Sequence, residues 1–327
     1  MSAKEFDLIA RIRARATSRA DVVLGIGDDA ALLQVPAGQQ LVVSMDTLNV
    51  GVHFPQDTAA ADIGWKALAV NLSDLAAMGA DPAWCTLSLS MPQADATFVD
   101  EFLDGFLALA NAHGVALVGG DTTRGPLSVC VTVHGFVEAG TALRRDAARV
   151  GDEIWVSGSL GDAAGALLQW RERAKRVQVH FSRKNEPDPF LRARLDRPTA
   201  RVALGRALRG IAHACVDVSD GLLADIGHVC EASGVGAQID IDALPASQAL
   251  CSAFDRHARH GLQATGGDDY ELCFTAPPEA REAIEAAARA ATTTVTRIGM
   301  MVTAPSLTAR TDDGAWSAPA SGWIHFG

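Results

Sequence analysis

Nine aspartates at the ends of apolar segments constrain the fold of this chain more than any other feature of its sequence. They stand beside glycine or a small hydroxyl residue, and they are Asp28, Asp29, Asp46, Asp74, Asp121, Asp217, Asp220, Asp268 and Asp269. Surface aspartates usually have polar neighbours, whereas several of these follow runs such as Val-Val-Ser-Met or Leu-Val-Gly-Gly. The pattern predicts that buried helices and strands bring these carboxylates close together at one or more sites. Like charges repel at such a site unless cations lie among them.

Hard divalent cations are the expected partners of such a carboxylate set. Magnesium prefers oxygen ligands and typically bridges a few carboxylates to the phosphates of a substrate. For any single aspartate the alternative is a helix cap or a turn, because aspartate favours both positions. The set as a whole favours a nucleotide site in which Mg²⁺ neutralises the phosphate charge.

The charge balance agrees with this interpretation. The formal net charge is −11, and the four lysines are Lys4, Lys66, Lys175 and Lys184. A protein that binds a nucleic-acid backbone needs a surplus of positive charge. This chain has a surplus of negative charge, so we expect no nucleic-acid partner. Lys66 lies in an apolar helical segment, and we expect its amine only to extend to solvent. An anionic substrate must then be neutralised by something other than lysine, which again indicates metal ions.

Several features predict a cytoplasmic protein without a membrane partner. No apolar run approaches the roughly 20 residues that span a bilayer. The first seven residues contain both charges and lack the apolar block of a signal peptide. The six cysteines form no Cys-x-x-Cys pair, and most have apolar neighbours. We therefore expect buried core thiols rather than zinc ligands or disulfides.

Hydrophobic periodicity and turn residues predict a mixed α/β or α+β protein of two domains, residues 1–150 and 151–327. In the first domain we expect helices near 6–16, 57–78 and 95–113 and strands near 41–46, 83–91, 115–118 and 128–137. The strand at 115–118 is expected to be short and to run into the glycine-rich segment 119–125. In the second domain we expect strands near 153–157, 214–218, 237–241, 270–275 and 294–299. Residues 171–198 are rich in Arg, Lys, Glu and Pro, which predicts a charged helix end and a surface loop.

The familiar motifs of nucleotide and acyl-transfer enzymes are missing from the sequence. There is no Gly-x-x-x-x-Gly-Lys-Ser/Thr loop, no His-Arg-Asp triplet and no Gly-x-Ser-x-Gly elbow. The Gly25-x-Gly27 pair does not follow a strand in the register of a dinucleotide fingerprint. Transfer chemistry must then rest on metal ions and positioning. Phosphoryl transfer fits, because its loose transition state requires mainly alignment and charge neutralisation.

Seven segments, taken in order, resemble the thiamine-monophosphate kinase family. They are Gly-Asp-Asp-Ala (27–30), Met-Asp-Thr (45–47), His-Phe (53–54), Lys-Ala-Leu-Ala-Val-Asn-Leu-Ser-Asp-Leu-Ala-Ala-Met-Gly-Ala (66–80), Gly-Gly-Asp-Thr-Thr-Arg-Gly (119–125), Asp-Val-Ser-Asp-Gly-Leu (217–222) and Gly-Gly-Asp-Asp-Tyr-Glu-Leu (266–272). The likeness extends from about residue 5 to the C-terminal Trp-Ile-His-Phe. Each motif alone is moderately specific, but their order along the chain is strongly specific.

The resemblance implies the two-domain fold shared with aminoimidazole ribonucleotide synthetase and selenophosphate synthetase. In that fold an N-terminal α/β domain dimerises, ATP lies near the dimer interface, and a C-terminal α/β domain follows. The implied reaction is Mg²⁺-dependent transfer of the ATP γ-phosphoryl group to the phosphate of thiamine monophosphate. The alternatives are another ATP-dependent enzyme of the same superfamily and a non-catalytic nucleotide or metal sensor.

The resemblance also implies site residues, carried over position by position. The magnesium ligands would be Asp29, Ser44, Met45, Asp46, Asp74, Asp121, Asp217 and Asp220. The ATP contacts would be Gly120, Asp121, Arg145 and Ser219. The thiamine monophosphate contacts would be His53, Asp268 and Trp323. No general base is assigned, because a phosphate acceptor is already largely ionised near neutral pH.

Two residues depart from the family pattern. Met45 stands where threonine is usual, so only its main-chain carbonyl could serve as a ligand. Asp268 stands where glutamate is common, and its shorter arm shifts the substrate contact. Outside the resemblance, His53 could be a packed loop histidine, Trp323 a cover of the core, and Arg145 a solvated arginine.

Overall fold

The computed structural model describes residues 5–176, 188–303 and 306–318. The chain divides into two compact units, residues 1–75 with 80–142 and residues 76–79 with 143–327. The sequence-based expectation was a boundary at residue 150.

The N-terminal unit begins with a helix and a small hairpin, followed by alternating strands and helices. Its helices are α1 (Glu5–Arg15), α2 (Ala60–Ala77) and α3 (Ala96–Ala112). Its strands are β1 (Val22–Leu24), β2 (Leu32–Leu33), β3 (Gln39–Asn49), β4 (Asp81–Met91), β5 (Ala116–Arg124) and β6 (Ser128–Glu138). Asp95 caps α3, since its carboxylate accepts the N–H groups of Thr97 and Phe98.

Four of these strands form a sheet in the order β3-β6-β4-β5, in which β6 is antiparallel to both neighbours and β4 is parallel to β5. Residues Val129, Val131 and Val133 of β6 are fully buried and alternate with half-buried residues. This period of two is typical of a sheet with one face covered by the core.

Helices α2 and α3 cross closely at two glycines. A Cβ atom on Gly105 would lie 1.7 Å from the carbonyl oxygen of Ala61, and one on Gly64 would lie 2.1 Å from that of Phe102. Phe102 also stacks on Phe106, with ring centroids 5.8 Å apart. The close approach requires glycine at both positions and positions α2 for the site described below.

The C-terminal unit contains one large sheet and seven helices in the part of the chain that the structure describes. The helices are α4 (Asp162–Arg176), α5 (Pro189–Asp196), α6 (Val202–Ala207), α7 (Leu222–Ser233), α8 (Gln248–Ala253), α9 (Arg256–Thr265) and α10 (Arg281–Ala290), with 3-10 turns at Ile241–Ala243 and Pro278–Ala280. The strands are β7 (Glu153–Ser157), β8 (Ala214–Asp217), β9 (Gly236–Asp240), β10 (Leu272–Ala276), β11 (Val295–Val302), β12 (Leu307–Thr311) and β13 (Gly314–Trp316).

The seven strands are ordered β13-β12-β9-β11-β7-β10-β8, and every pair is antiparallel except β12 with β9. Strands β7, β8 and β10 are buried along their whole length. Ile154, Val216 and Cys273 from these strands share a core cluster with Leu222 and Ile226 of α7. This cluster fixes the end of β8 and the start of α7, where a predicted ligand loop lies.

The predicted fold class, mixed α/β of two domains, is confirmed. One expectation about a strand was wrong: β5 does not stop at residue 118 but continues through the glycine-rich segment to Arg124. Helix α5 was not predicted, because it lies in the polar stretch 171–198, and residues 177–187 of that stretch are outside the described part of the chain.

The cysteines are mostly core thiols, as expected. All six are free; Cys85, Cys215, Cys230 and Cys273 are buried and Cys130 is half-buried. Burial raises the pKa of the Cys85 thiol. Cys251 is exposed, contrary to expectation. Among the described residues, no helix has both the length and the apolar character needed to cross a membrane.

Candidate functional site

Strand β3 and helix α2 bring three predicted magnesium ligands together in the N-terminal unit. The hydroxyl of Ser44 on β3 donates a hydrogen bond of 2.5 Å to Oδ2 of Asp74 on α2. Two residues along β3, the N–H of Asp46 donates to Oδ1 of Asn71, at 3.1 Å. Asn71 is buried, and its Nδ2 donates to the carbonyl of Ala67. Because positions 71 and 74 share a helix face and 44 and 46 share a strand face, these side chains lie along the seam between β3 and α2.

Met45 faces away from this seam. Its side chain is 60% exposed and lies on the opposite face of β3, with the exposed Leu41 and Val43. Only the main chain of Met45 lies beside Ser44 and Asp46. A thioether is also a poor ligand for magnesium, so the side chain has no part in a magnesium site here.

Gly120 and Asp121 lie in β5, at the other edge of the same sheet. The register pairs Asp46 with Val131, Val131 with Leu87, and Leu87 with Gly120. Asp46 and Gly120 therefore stand at one level of the sheet but three strand spacings apart, about 14 Å. Within one chain, β3 and β5 hold their predicted ligands at separate edges.

Gly120 is required where it stands, and a cavity opens beside it. Its φ is 149°, and a Cβ atom would lie 1.8 Å from the carbonyl oxygen of Leu87. The cavity has a volume of about 620 Å³ and is lined by Leu8, residues 91–94 and residues 121–124. This volume is within the range of small-molecule sites.

Asp29 lies in the exposed segment between β1 and β2. Its N–H donates to Oδ1 of Asp28, at 2.8 Å. Gly27 precedes them with a φ of 126°, and a Cβ atom there would lie 2.6 Å from the guanidinium group of Arg13. The turn therefore presents Asp28 and Asp29 at the surface of the N-terminal unit.

His53 lies in the turn after β3 and is held on two sides. Its Nδ1 accepts the N–H of Asn49 at 3.0 Å, which places the proton of the neutral ring on Nε2. Its carbonyl accepts a hydrogen bond of 2.9 Å from Nζ of Lys66. Lys66 is only 1% exposed, so the expectation that its amine extends to solvent is wrong. This lysine instead ties α2 to the turn that carries His53.

In the C-terminal unit, residues 219–221 form the loop between β8 and α7. Oδ2 of Asp225 accepts the N–H groups of all three loop residues at 3.0–3.1 Å. Burial and the negative charge of Asp220 raise the pKa of Asp225 to about 7. The three N–H groups favour the carboxylate and lower this pKa, but their effect is smaller. Asp225 is not among the site residues predicted from the sequence, although an aspartate in the first turn of an apolar helix is a signal for a loop cap.

The segment 267–271 lies directly on this loop. The N–H of Asp268 donates to the carbonyl of Ser219 at 2.9 Å, and the N–H of Tyr270 donates to that of Val218 at 2.8 Å. In return, the N–H of Val218 donates to the carbonyl of Glu271 at 2.8 Å. The predicted ATP contact Ser219 and the predicted substrate contact Asp268 are therefore joined by a hydrogen bond.

A buried ionic cluster holds the end of this segment. The carboxylate of Glu271, which is fully buried, accepts hydrogen bonds from Oγ of Ser157 at 2.5 Å and from Arg194 at 2.8 Å. Arg201 donates two more, at 2.6 and 2.5 Å. Neither arginine is among the residues predicted from the sequence, because they lie 77 and 70 residues from Glu271 along the chain.

The remaining predicted contacts have separate environments. Arg145 is exposed, and its carbonyl accepts a hydrogen bond from Oγ of Ser233 at 2.9 Å. Asp217 is buried at the end of β8, where it pairs with Leu272 of β10. Trp323 lies outside the described residues.

The structure thus assembles two groups of predicted residues, one in each unit. They are Ser44, Asp46 and Asp74, and Ser219, Asp220 and Asp268. Within the described ranges, no group of three or more His, Cys, Asp or Glu side chains could by itself hold a metal ion.

Comparisons with known proteins identify the family. Residues 27–137 match the family described as AIR synthase related protein, N-terminal domain, and residues 149–312 match its C-terminal domain. A thiamine-monophosphate kinase of Salmonella typhimurium is 47% identical over 302 residues, covering 92% of this chain and 91% of the relative. The crystal structure of thiamine-monophosphate kinase from Stenotrophomonas maltophilia K279a has a TM-score of 0.86 at 55% identity, covering 97% of this chain and 99% of that one. A structure of AaThiL complexed with AMPPCP and TMP has a TM-score of 0.76 at 30% identity, covering 98% and 96%. The chain therefore belongs to the thiamine-monophosphate kinase family.

Proposed function

We propose that this protein transfers the γ-phosphoryl group of ATP to the phosphate of thiamine monophosphate, giving thiamine diphosphate and ADP. The observation that carries the proposal is the similarity, along nearly the whole chain, to thiamine-monophosphate kinases, including one complexed with AMPPCP and TMP. The hydrogen bond between Ser219 and Asp268 supports it, because it would hold the two ligands side by side. The free thiols of the cysteines are in keeping with a cytoplasmic location.

Several magnesium ions would be held by the predicted carboxylates. The donors along the seam between β3 and α2, from Ser44, Asp46 and Asp74, are all oxygens, which is the chemistry that magnesium prefers. When bound, the metal would neutralise the charge of the ATP phosphates. Ser44 orients the Asp74 carboxylate through its short hydrogen bond, and Asn71 holds the main chain of Asp46.

The remaining residues would bind and align the two phosphates. The acceptor is already ionised, so no residue needs to remove a proton, and catalysis depends on geometry. The cavity beside Asp121 offers room for part of the nucleotide. The exposed guanidinium of Arg145 suits a phosphate, which arginine can bind through two parallel hydrogen bonds. His53, Asp268 and Trp323 would contact thiamine monophosphate.

We also propose that the protein is a homodimer formed through the N-terminal sheet. Leu41, Val43 and Met45 give β3 an apolar stripe, with exposed fractions of 43%, 53% and 60%. An edge strand with such a stripe is a ready site for association.

If the dimer forms through β3, a valine-to-glutamate substitution should change the mass in solution at position 43 but not at position 150. Val43→Glu should convert the protein to a monomer, because it places a charge in the apolar stripe of β3. Val150→Glu is the matched control, because Val150 is also 53% exposed but lies in a turn outside the N-terminal sheet. Light scattering coupled to size-exclusion chromatography measures the mass of each variant. A wild type that runs as a monomer, or a dimeric Val43→Glu variant, would refute the proposed interface.

The reaction itself is tested by product analysis. Purified protein with ATP, Mg²⁺ and thiamine monophosphate should release ADP in step with thiamine diphosphate, and EDTA should stop both. If ADP forms only with another acceptor, the protein is a different enzyme of the superfamily. Binding of ATP without any turnover would instead indicate a sensor. Chromatographic identification of the product separates these outcomes.

A further inference from the structure

The side chains of Tyr270 and Asp268 form a pair at the proposed substrate site. The hydroxyl of Tyr270 donates a hydrogen bond of 2.9 Å to Oδ1 of Asp268. Tyr270 is 8% exposed, so its ring is anchored in the core, whereas Asp268 is half-buried. An ionised acceptor makes this hydrogen bond stronger than one between neutral groups. The pair therefore fixes the carboxylate of Asp268 from the protein side.

The main chain of both residues is also held in an unusual conformation. Asp268 has a φ of 68° and Tyr270 a φ of 51°, in the left-handed region that non-glycine residues seldom occupy. Such conformations persist where the surroundings over-determine them, and they cluster at functional sites. Here the N–H of each residue is hydrogen-bonded to the carbonyl of Ser219 or Val218, which enforces the conformation.

The neighbouring acidic residues point elsewhere and anchor the segment. Asp269 is 1% exposed, and its Oδ2 accepts the N–H of Gly161 at 2.7 Å. Glu271 is fully buried in the cluster with Arg194 and Arg201. Asp269 and Glu271 are thus engaged with the interior, while Asp268 is the acidic residue of the segment that remains half-buried.

We propose that Tyr270 is a positioning residue for thiamine monophosphate, acting through Asp268. Its hydroxyl holds the Asp268 carboxylate in one orientation, towards the cationic heterocycle of the substrate. The inference rests on the proposed function and extends it to a residue that makes no substrate contact of its own. A preorganised carboxylate binds better than one that must be ordered when the substrate arrives.

Tyr270→Phe tests this with the removal of one oxygen atom. The ring keeps its packing, so the fold stays intact, while the Asp268 carboxylate loses the hydrogen bond from the Tyr270 hydroxyl that helps to orient it. We expect KM for thiamine monophosphate to rise about tenfold, whereas kcat and KM for ATP stay within about twofold of wild type. Ser252→Ala, which deletes an exposed hydroxyl on α8 in the same unit, should change none of these constants.

A double-mutant cycle shows whether the effect passes through Asp268. In an Asp268→Ala background, Tyr270→Phe should cause no further rise in KM for thiamine monophosphate. Three results would overturn this inference but not the proposed function. They are an unchanged KM for thiamine monophosphate in the single variant, an equally large effect on kcat and on KM for ATP, and additive effects in the double variant. A wild type that forms no thiamine diphosphate would overturn the proposed function, and this inference with it.

Discussion

Asp74→Asn should lower kcat by on the order of a thousandfold while the N-terminal unit stays folded. The substitution keeps the shape of the side chain and removes its negative charge. Asp74 lies on the seam where Ser44 donates a hydrogen bond of 2.5 Å to its carboxylate, beside the Asn71 that holds Asp46. A neutral amide can still bond to Ser44, but it binds magnesium more weakly than a carboxylate does, because it carries no negative charge. The loss should therefore fall on turnover rather than on stability.

The matched control is Asp62→Asn, in the first turn of the same helix and outside the predicted ligand set. That variant should retain wild-type kcat, and the loss of its charge should weaken the interaction with the helix dipole by a few tenths of a kcal/mol. Steady-state kinetics over a range of Mg²⁺ concentrations, together with thermal melting, would measure both variants. An Asp74→Asn protein with near-normal kcat at every Mg²⁺ concentration would contradict the metal role of this carboxylate.

The elements of the fold could be predicted where local signals agree. Asp95 ahead of an apolar helical period marks the start of α3, and its carboxylate caps that helix in the structure. The error at β5 has a physical cause. Two adjacent glycines usually indicate a turn. Gly120 instead lies in a strand, and glycine is needed there because the carbonyl of Leu87 occupies the place of a Cβ atom. Local propensity cannot reveal such a tertiary contact.

The types of site residue could be predicted, but their grouping could not. Aspartates at the ends of apolar segments indicate metal chemistry, whereas the register of the sheet decides that Asp46 and Asp121 leave from opposite edges. The expectation for Lys66 was wrong, and Asp225 was missed, for a similar reason. Each is buried against a loop, the turn of His53 in one unit and residues 219–221 in the other, and such contacts form only in the folded chain.

Glu271→Gln should destabilise the C-terminal unit by about 3 kcal/mol, the largest stability effect that we expect from a single conservative change. The carboxylate of Glu271 is fully buried, while the side chains of Arg194 and Arg201 are 12% and 17% exposed. Burial alone would lower the pKa of Arg201, but the hydrogen bonds and charge of Glu271 outweigh burial and raise it. Removing that charge leaves two cations with little access to water and one fewer anion.

Differential scanning calorimetry measures the effect without assuming that both units unfold together. A loss of about 3 kcal/mol in a unit of this size lowers its transition by roughly 6–12 °C. Glu285→Gln on α10 is the control, since its partner Arg289 is 3.8 Å away and both side chains are largely exposed. Such surface pairs contribute about 0.3–0.5 kcal/mol, so its transition should move by no more than about 2 °C. A Glu271→Gln transition as high as that of Glu285→Gln would mean that water solvates the two arginines, or that Asp162, 3.8 Å from Arg194, neutralises their charge. The cluster would then orient segment 267–271 without stabilising the unit.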